Sequence, residues 1–181
     1  MPTLTIRDAR PADRDAIRAL TVAAYGEYAG VMAPAAWGAL ESALHAALAS
    51  DDPAVQRIVA EREGRIVGSV MLFPPESDAY AGLTDAAPAP ELRLLAVAPE
   101  GRGGGTGRLL VEECIRRARS SGATELGLHS SRSMRSAIAL YTRLGFTRAP
   151  ERDFQPEGAE LVEGYRLLLA DRDRTANDLE K

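Results

Sequence analysis

The order of apolar and polar residues along this chain predicts a succession of short strands and amphipathic helices. Residues 3–7 alternate polar and apolar side chains, which predicts an opening strand, because strand side chains point to opposite faces in turn. Apolar residues then recur at helical spacing in two stretches, separated by the breakers Gly26, Gly30 and Pro34. These stretches predict two helices, the second over residues 35–50. Their apolar stripes are Ile17, Leu20, Thr21 and Ala24, and then Trp37, Leu40, Leu44 and Leu48.

The middle of the sequence predicts three strands followed by a helix. Residues 55–61 and 65–73 have strand character and are joined by Glu63-Gly64, a pair typical of a tight hairpin turn. Residues 91–97 form a third strand, which ends before Pro99. A helical pattern then follows a glycine-rich turn and ends near Gly122, a natural C-cap. The apolar face of this helix carries Leu110, Cys114 and Ala118, so we expect Cys114 to be buried.

The last third of the sequence adds one more strand and one more helix. Residues 124–130 alternate well enough for a strand, and residues 133–144 have a helical pattern that Gly145 ends before an extended segment at Phe146. Residues 74–90 predict a long loop, which in a compact domain is either functional or mobile. Residues 171–181 are polar, and we expect a disordered tail there.

Composition and charge narrow the class of protein. The chain has 181 residues with 45% hydrophobic and 27% charged side chains, which predicts one soluble globular domain over residues 1–170. A net charge of −4 gives no support for nucleic-acid binding. The single cysteine excludes an internal disulfide. Because no apolar run approaches the length of a membrane span and the N-terminus lacks the apolar centre of a signal peptide, we expect a cytoplasmic protein with no membrane partner.

The glycine-rich turn at residues 102–107, R-G-G-G-T-G, is the strongest candidate for chemistry. Glycines let backbone amides converge on an anion, and the start of the following helix adds its own unsatisfied N–H groups and positive dipole. Arg102 and Arg108 flank the turn and add full positive charges. A Walker loop is excluded because the only lysine is Lys181, and the dinucleotide motif G-x-G-x-x-G does not fit either. The competing interpretation is a tight turn that needs glycine only for its geometry.

Two segments resemble the GNAT acyltransferases, the general-control-related N-acetyltransferases. The pattern R-x-x-G-x-G, as Arg102, Gly105 and Gly107, follows L-A-V-x-P at residues 95–99 and resembles the acetyl-CoA motif of that family. Residues 137–146, A-I-A-L-Y-T-R-L-G-F, resemble the segment that lies across the cofactor's thiol. The resemblance implies an α/β (α+β) fold with a mixed, mostly antiparallel sheet flanked by helices. It also implies that this sheet is splayed between its fourth and fifth strands, with acetyl-CoA in the gap.

The resemblance also implies which residues hold the cofactor. The strand backbone at Leu95, Ala96 and Val97 is expected to bind the pantetheine arm as an added strand would. The turn is expected to hold the pyrophosphate, through Arg102, Gly103, Gly104, Gly105, Thr106, Gly107 and Arg108. Met134 stands where many relatives have asparagine, so one polar contact near the pantetheine arm is in doubt. No metal site is implied, because two histidines and one cysteine match no ligand spacing.

Amide formation from a thioester needs a neutral amine, a proton acceptor and a stabilised thiolate. Glu91 is the first candidate base, since it lies on the strand before the glycine turn, as does the base of the histone-acetylating relatives; the competing interpretation is an exposed glutamate at a strand end. His129 is the alternative base or relay. Tyr141 is the candidate acid at the leaving sulfur, carried over from the family motif. We expect direct transfer in a ternary complex without a covalent acyl-enzyme.

The acceptor is predicted only as a primary amine, either a small molecule or a protein amino group. Its site is expected to include Tyr25, Glu27 and Tyr28, together with residues 74–90 and 150–163. The last stretch has five acidic residues against one arginine, which favours a cationic amine. Two other functions stay open: a non-catalytic acyl-CoA-binding module and a nucleotide-binding α/β domain. Paired subunits are common in the family, so a homodimer is compatible with the resemblance.

Overall fold

Residues 3–77 and 84–169 are described by a computed structural model, and they build one seven-stranded sheet with helices on both faces. The predicted tail at residues 171–181 and residues 78–83 of the predicted loop lie outside the described residues. The helices are α1 (Arg14–Gly26), α2 (Pro34–Ala49), α3 (Thr106–Ser120) and α4 (Arg135–Arg143). The strands are β1 (Leu4–Asp8), β2 (Gln56–Arg62), β3 (Arg65–Phe73), β4 (Glu91–Val97), β5 (Glu125–Ser131), β6 (Thr147–Arg148) and β7 (Val162–Leu168).

The sheet runs in the order β1-β2-β3-β4-β5-β7-β6, and its neighbours are antiparallel except for β4 and β5. The parallel pair meets at a single register position, Glu91 opposite Gly127. By contrast, β5 pairs with β7 over seven positions. The two halves of the sheet therefore separate after Glu91, which confirms the predicted mixed sheet that is splayed between its fourth and fifth strands.

Strand β3 lies at the centre of the core and is covered on both faces. Val70 and Leu72 pack with α3 residues in the larger cluster, whereas Met71 and Phe73 pack towards α2. The predicted hairpin between β2 and β3 is present, with Glu63 and its neighbouring glycine both at positive φ, as a tight two-residue turn requires. Within the described residues, no helix is long and apolar enough to cross a membrane.

Two features of the fold differ from the sequence prediction or bear directly on it. Strand β7 was not predicted. It lies between β5 and β6 in the sheet and pairs with β5 over seven positions and with β6 over two. Cys114 lies at 0% exposure on the inner face of α3, as predicted. This side chain belongs to the core, and its burial raises the pKa of the Cys114 thiol to about 12.

Candidate active site

The separation of β4 from β5 opens a groove of about 630 Å³, which is within the usual size range of ligand sites. One wall is β4 itself, and Leu95, Ala96 and Val97 all line it. The glycine turn and the start of α3 lie at one end. Tyr141 of α4 lies on the opposite wall with its side chain largely buried, and its ring packs against Phe146 at 5.8 Å between centroids.

The glycine turn presents a set of backbone donors at the start of α3. Gly103 and Gly105 have φ of 76° and 80°, a left-handed conformation that favours glycine. Within the described residues, the amides of residues 103–108 donate to no backbone or side-chain acceptor. The buried Thr106 hydroxyl donates to the carbonyl of Gly101 at 2.8 Å, which fixes the turn from inside. The arrangement is suited to an anion at the helix N-terminus.

The members of the predicted turn do not all face the groove. Gly104 does not line it, whereas the flanking glycines, Thr106 and both arginines do. Arg108 donates to Glu112 along α3 at 2.8 Å. Arg102 lies at the edge of the groove and donates hydrogen bonds to Glu27 and to the carbonyl of Val97.

Arg102 is paired with Glu27 across the edge of the groove. Its two terminal nitrogens donate to the two carboxylate oxygens of Glu27 at 3.1 and 2.7 Å, and its Nε donates to the carbonyl of Val97 at 3.2 Å. The hydrogen bond from Arg102 lowers the pKa of Glu27. Glu27 and Tyr28, both predicted in the acceptor site, therefore line the groove beside the glycine turn.

A β-bulge distorts β4 where the groove begins. Ala96 pairs with Ser69 and Arg93 pairs with Met71, so Leu94 and Leu95 together lie opposite one residue of β3. Leu94 has a φ of 53°, which is rare for leucine and strained by about 1–3 kcal/mol. The bulge turns the edge of β4 away at the point where pairing with β5 has ended.

Glu91 and His129 form a buried pair behind the groove. Glu91 is 3% exposed and lines neither the groove nor the smaller cavity described below. Its Oε1 lies 3.3 Å from His129 Nδ1, but the two atoms are not aligned for a hydrogen bond. His129 does line the groove. Its Nε2 carries the proton, because it lies 2.8 Å from the carbonyl oxygen of Arg152, which can only accept. The other ring nitrogen therefore faces the Glu91 carboxylate.

A second, smaller cavity of about 120 Å³ opens from the same region. It is lined by α2 and by the segment between β6 and β7, with a mainly apolar surface that includes Leu40 and Phe154. Six residues line both spaces, and we call this shared region the junction. The junction consists of Tyr25, Arg93, Leu94, His129, Ser130 and Met134.

The junction contains two polar residues that the sequence prediction missed. Ser130 is 3% exposed, and its hydroxyl has no hydrogen-bond partner among the described residues. Arg93 stacks over the ring of Phe73 at 5.2 Å. Arg93 could have been found from the sequence as the one charge inside the apolar run of β4, whereas Ser130 carries no such signal. Two more polar residues of the junction, His129 and Tyr25, were predicted from the sequence, and burial raises the pKa of the Tyr25 hydroxyl.

The acidic stretch at residues 150–163 does not form an open negative surface. Three of its five acids are held by arginines from outside the stretch: Glu151 by Arg166, Asp153 by Arg148 and Glu163 by Arg132. Glu160, which lines the small cavity, accepts a hydrogen bond from Ser133 at 2.8 Å. The acidic composition that favoured a cationic acceptor is therefore largely compensated within the fold.

Comparison with known proteins gives the same outline. The chain matches the acetyltransferase (GNAT) family over residues 17–146. It is 35% identical over 123 residues to an amino-acid acetyltransferase of Pseudomonas putida, which covers 68% of this chain and 24% of that protein. This chain therefore spans about a quarter of the length of that relative.

Solved structures share the fold over nearly the whole chain. Ribosomal-protein-alanine N-acetyltransferase from Brucella melitensis is 25% identical, with a TM-score of 0.63, over 91% of this chain and 99% of that one. A second GNAT family acetyltransferase from Brucella melitensis was solved in complex with acetyl-CoA. It is 22% identical, with a TM-score of 0.58, over 94% of this chain and 91% of that one.

Proposed function

Because this chain belongs to the acetyltransferase (GNAT) family, we propose that it transfers an acetyl group from acetyl-CoA to a primary amine by direct attack in a ternary complex. Residues 1–170 would act as a single cytoplasmic acyltransferase domain. The observation that carries the proposal is the turn at residues 103–108, whose amides are directed to no acceptor among the described residues, at the end of a groove of cofactor size. The complex of the Brucella melitensis relative with acetyl-CoA supports this choice of cofactor.

The groove offers acetyl-CoA three kinds of contact. The amides of the turn and the N-terminus of α3 would bind the pyrophosphate, with Arg102 and Arg108 supplying charge. The edge of β4 at residues 95–97 would bind the pantetheine arm, because β5 no longer pairs with it there. The thioester would then lie near Tyr141 and the junction.

Direct transfer is supported by the position of the only cysteine. Cys114 is fully buried on α3 and lines neither cavity, so it is not placed to take the acetyl group. In the proposed reaction the amine nitrogen bonds to the thioester carbon and the carbon–sulfur bond breaks. One proton leaves the nitrogen, and the thiolate of coenzyme A gains a proton.

Tyr141 would stabilise the leaving thiolate with a hydrogen bond. A tyrosine with a pKa near 10 and a thiol near 8.5 make full proton transfer uphill by roughly 2 kcal/mol. A hydrogen bond to a charged group contributes about 1.5–3 kcal/mol, which corresponds to about 10- to 150-fold in rate. We propose stabilisation by that bond, with the proton coming finally from the attacking amine.

The Glu91–His129 pair would accept the amine proton as a unit. When neither Oε1 nor Nδ1 carries a proton, two lone pairs face each other across 3.3 Å in a buried position. A proton taken from the amine would be shared between these two atoms. His129 is the member of the pair that lines the junction, and Glu91 would act behind it as a positioning residue.

The function is tested by binding and by turnover. Calorimetry should show acetyl-CoA binding to the folded protein, and a thiol-release assay over a panel of primary amines should show formation of coenzyme A. Binding without thiol release from any amine would favour the non-catalytic acyl-CoA-binding module. ATP or NAD binding without acetyl-CoA binding would favour the nucleotide-binding domain.

Substitution Tyr141→Phe tests the role of the tyrosine. We expect kcat to fall by about 10- to 150-fold while acetyl-CoA binding is retained, because only the hydrogen bond to the thiolate is lost. Tyr165→Phe is the matched control, since the Tyr165 hydroxyl donates to Glu163 outside both cavities at 2.8 Å. Equal kcat in the Tyr141→Phe variant and the unchanged enzyme would remove Tyr141 from the mechanism.

A double-mutant cycle tests the proton acceptor. Glu91→Gln and His129→Gln should each lower kcat/KM. The double variant should have a kcat/KM only slightly below that of the less active single variant, because the two residues act as a unit. Fully additive losses would show that the two residues act independently.

A further inference from the structure

The small cavity has the dimensions of one apolar side chain. Its volume is about 120 Å³. A dry cavity of roughly 150 Å³ admits benzene. Ala36, Ala39 and Ala43 recur on one face of α2 and leave this space open, with Leu40 and Met32 beside them. A single ring or a branched aliphatic group therefore fits, whereas an extended polyamine chain would place cationic nitrogens against an apolar wall.

The junction at the mouth of this cavity carries a buried hydroxyl that lacks a partner. Leaving such a group unsatisfied costs about 1–3 kcal/mol, so a hydroxyl of this kind calls for a ligand. Ser130 lines both the groove and the small cavity. An amine placed between the thioester and the cavity would pass beside it, and the Ser130 oxygen can accept a hydrogen bond from that amine.

A cation also lies at the mouth of the cavity. Arg93 lines both spaces, and its guanidinium is supported from one face by the ring of Phe73. A guanidinium carries five N–H donors in a planar fork, so it can serve more than one acceptor, and a carboxylate is the ligand that matches this fork best. Among the described residues that line the cavity, the one carboxylate is Glu160, and it accepts a hydrogen bond from the Ser133 hydroxyl.

From these features we propose that the acceptor is an α-amino acid with an apolar side chain the size of one ring or one branched aliphatic group. This inference rests on the proposed function. In an α-amino acid the amine and the carboxylate share one carbon. When the side chain occupies the small cavity and the amine meets the thioester, the carboxylate lies at the junction beside Arg93. Ser130 then orients the amine, and the cavity selects the side chain.

The test compares amino acids with their decarboxylated analogues in the thiol-release assay. The pairs are L-phenylalanine with 2-phenylethylamine and L-leucine with 3-methylbutylamine, and spermidine represents a cationic acceptor. We expect kcat/KM to be at least about tenfold higher for each amino acid than for its analogue, since the carboxylate contact is lost. The same ratio in Arg93→Met should fall towards one, while acetyl-CoA affinity measured by calorimetry is unchanged.

Two controls make the outcome specific. Arg65→Met removes an exposed arginine at the β2–β3 hairpin and should leave the ratio as it is. A ratio that survives in Arg93→Met, or turnover of spermidine with neither amino acid accepted, overturns the acceptor class but leaves the acetyltransferase function intact. Acetyl-CoA binding with no turnover of any panel member also overturns the acceptor class. Absence of acetyl-CoA binding would instead overturn the proposed function itself.

Discussion

The contact between Glu27 and Arg102 predicts that removing an acidic side chain will tighten cofactor binding. Arg102 is the first residue of the glycine turn that we propose binds the diphosphate, yet both of its terminal nitrogens donate to one carboxylate. A diphosphate that uses this guanidinium must share it with Glu27 or displace it. The change Glu27→Gln keeps the shape of the side chain and removes its charge.

The size of the effect follows from the exposure of the pair. The side chains of Arg102 and Glu27 are 43% and 52% exposed, so this is a surface ion pair of about 0.2–1 kcal/mol. Loss of that competition corresponds to a Kd for acetyl-CoA that is lower by about 1.4- to 5-fold. The gain should shrink between about 0.1 M and about 1 M salt, where the Debye length falls from about 10 to about 3 Å.

The assay is calorimetric titration of the protein, freed of coenzyme A, with acetyl-CoA at the two salt concentrations. Glu151→Gln is the matched control, because Glu151 and Arg166 form a pair of similar exposure outside both cavities. That control should leave the Kd unchanged. An unchanged or weaker affinity in Glu27→Gln would refute competition for Arg102. A change in the KM for the acceptor, with no change in the Kd for acetyl-CoA, would indicate that Glu27 contacts the acceptor instead.

Two further predictions concern stability. Arg116 and Arg117 hold the pKa of Glu113 at about 2, below its ordinary 4.5. Glu113→Gln should therefore lower the free energy of unfolding, measured in urea at neutral pH, by up to about 1 kcal/mol. The difference between the two proteins should persist above pH 4.5 and disappear as the pH falls through about 2. A difference that stays constant across this pH range would contradict the prediction. The second prediction concerns Gly101, where an added Cβ would lie 2.8 Å from a main-chain oxygen of β3. Gly101→Ala should therefore lower the free energy of unfolding by about 1–3 kcal/mol. The control Gly38→Ala, in open space on α2, should stabilise by about 0.5–1 kcal/mol, and equal thermal shifts for both would refute the steric argument.

Local chemistry explains why much of the fold could be predicted from the sequence. The turn Glu63-Gly64 places the β2–β3 hairpin because the pair takes two positive φ angles readily. The glycine turn could be interpreted from residue types, since its proposed function depends on backbone donors and on the absence of side chains. The face of α3 that carries Cys114 followed from helical periodicity. In each case neighbours in sequence determine the feature.

Strand β7 could not be predicted, because its pattern is set by distant partners. Glu163 is buried and is accommodated by hydrogen bonds from Arg132 and Tyr165. Gly164 is required because a Cβ there would lie 2.7 Å from Arg152 Cβ. A buried charge and a glycine in succession break the alternation that identifies a strand. The same long-range pairing explains why the acidity of residues 150–163 suggested a surface that the fold does not present.

The bulge at Leu94 shows where sequence reasoning reaches its limit in the candidate site. Leucine is an unfavourable residue for a left-handed backbone, so nothing local in β4 indicates the extra residue. Its side chain is nevertheless buried with Met71 and Phe73, and this packing offsets the strain. Because of the bulge, Leu94 and Leu95 share one register position of β3, between Arg93 of the junction and Ala96 of the groove wall. The strained position therefore lies between the proposed acceptor contact and the proposed cofactor contact, where violations of local preference tend to accompany function.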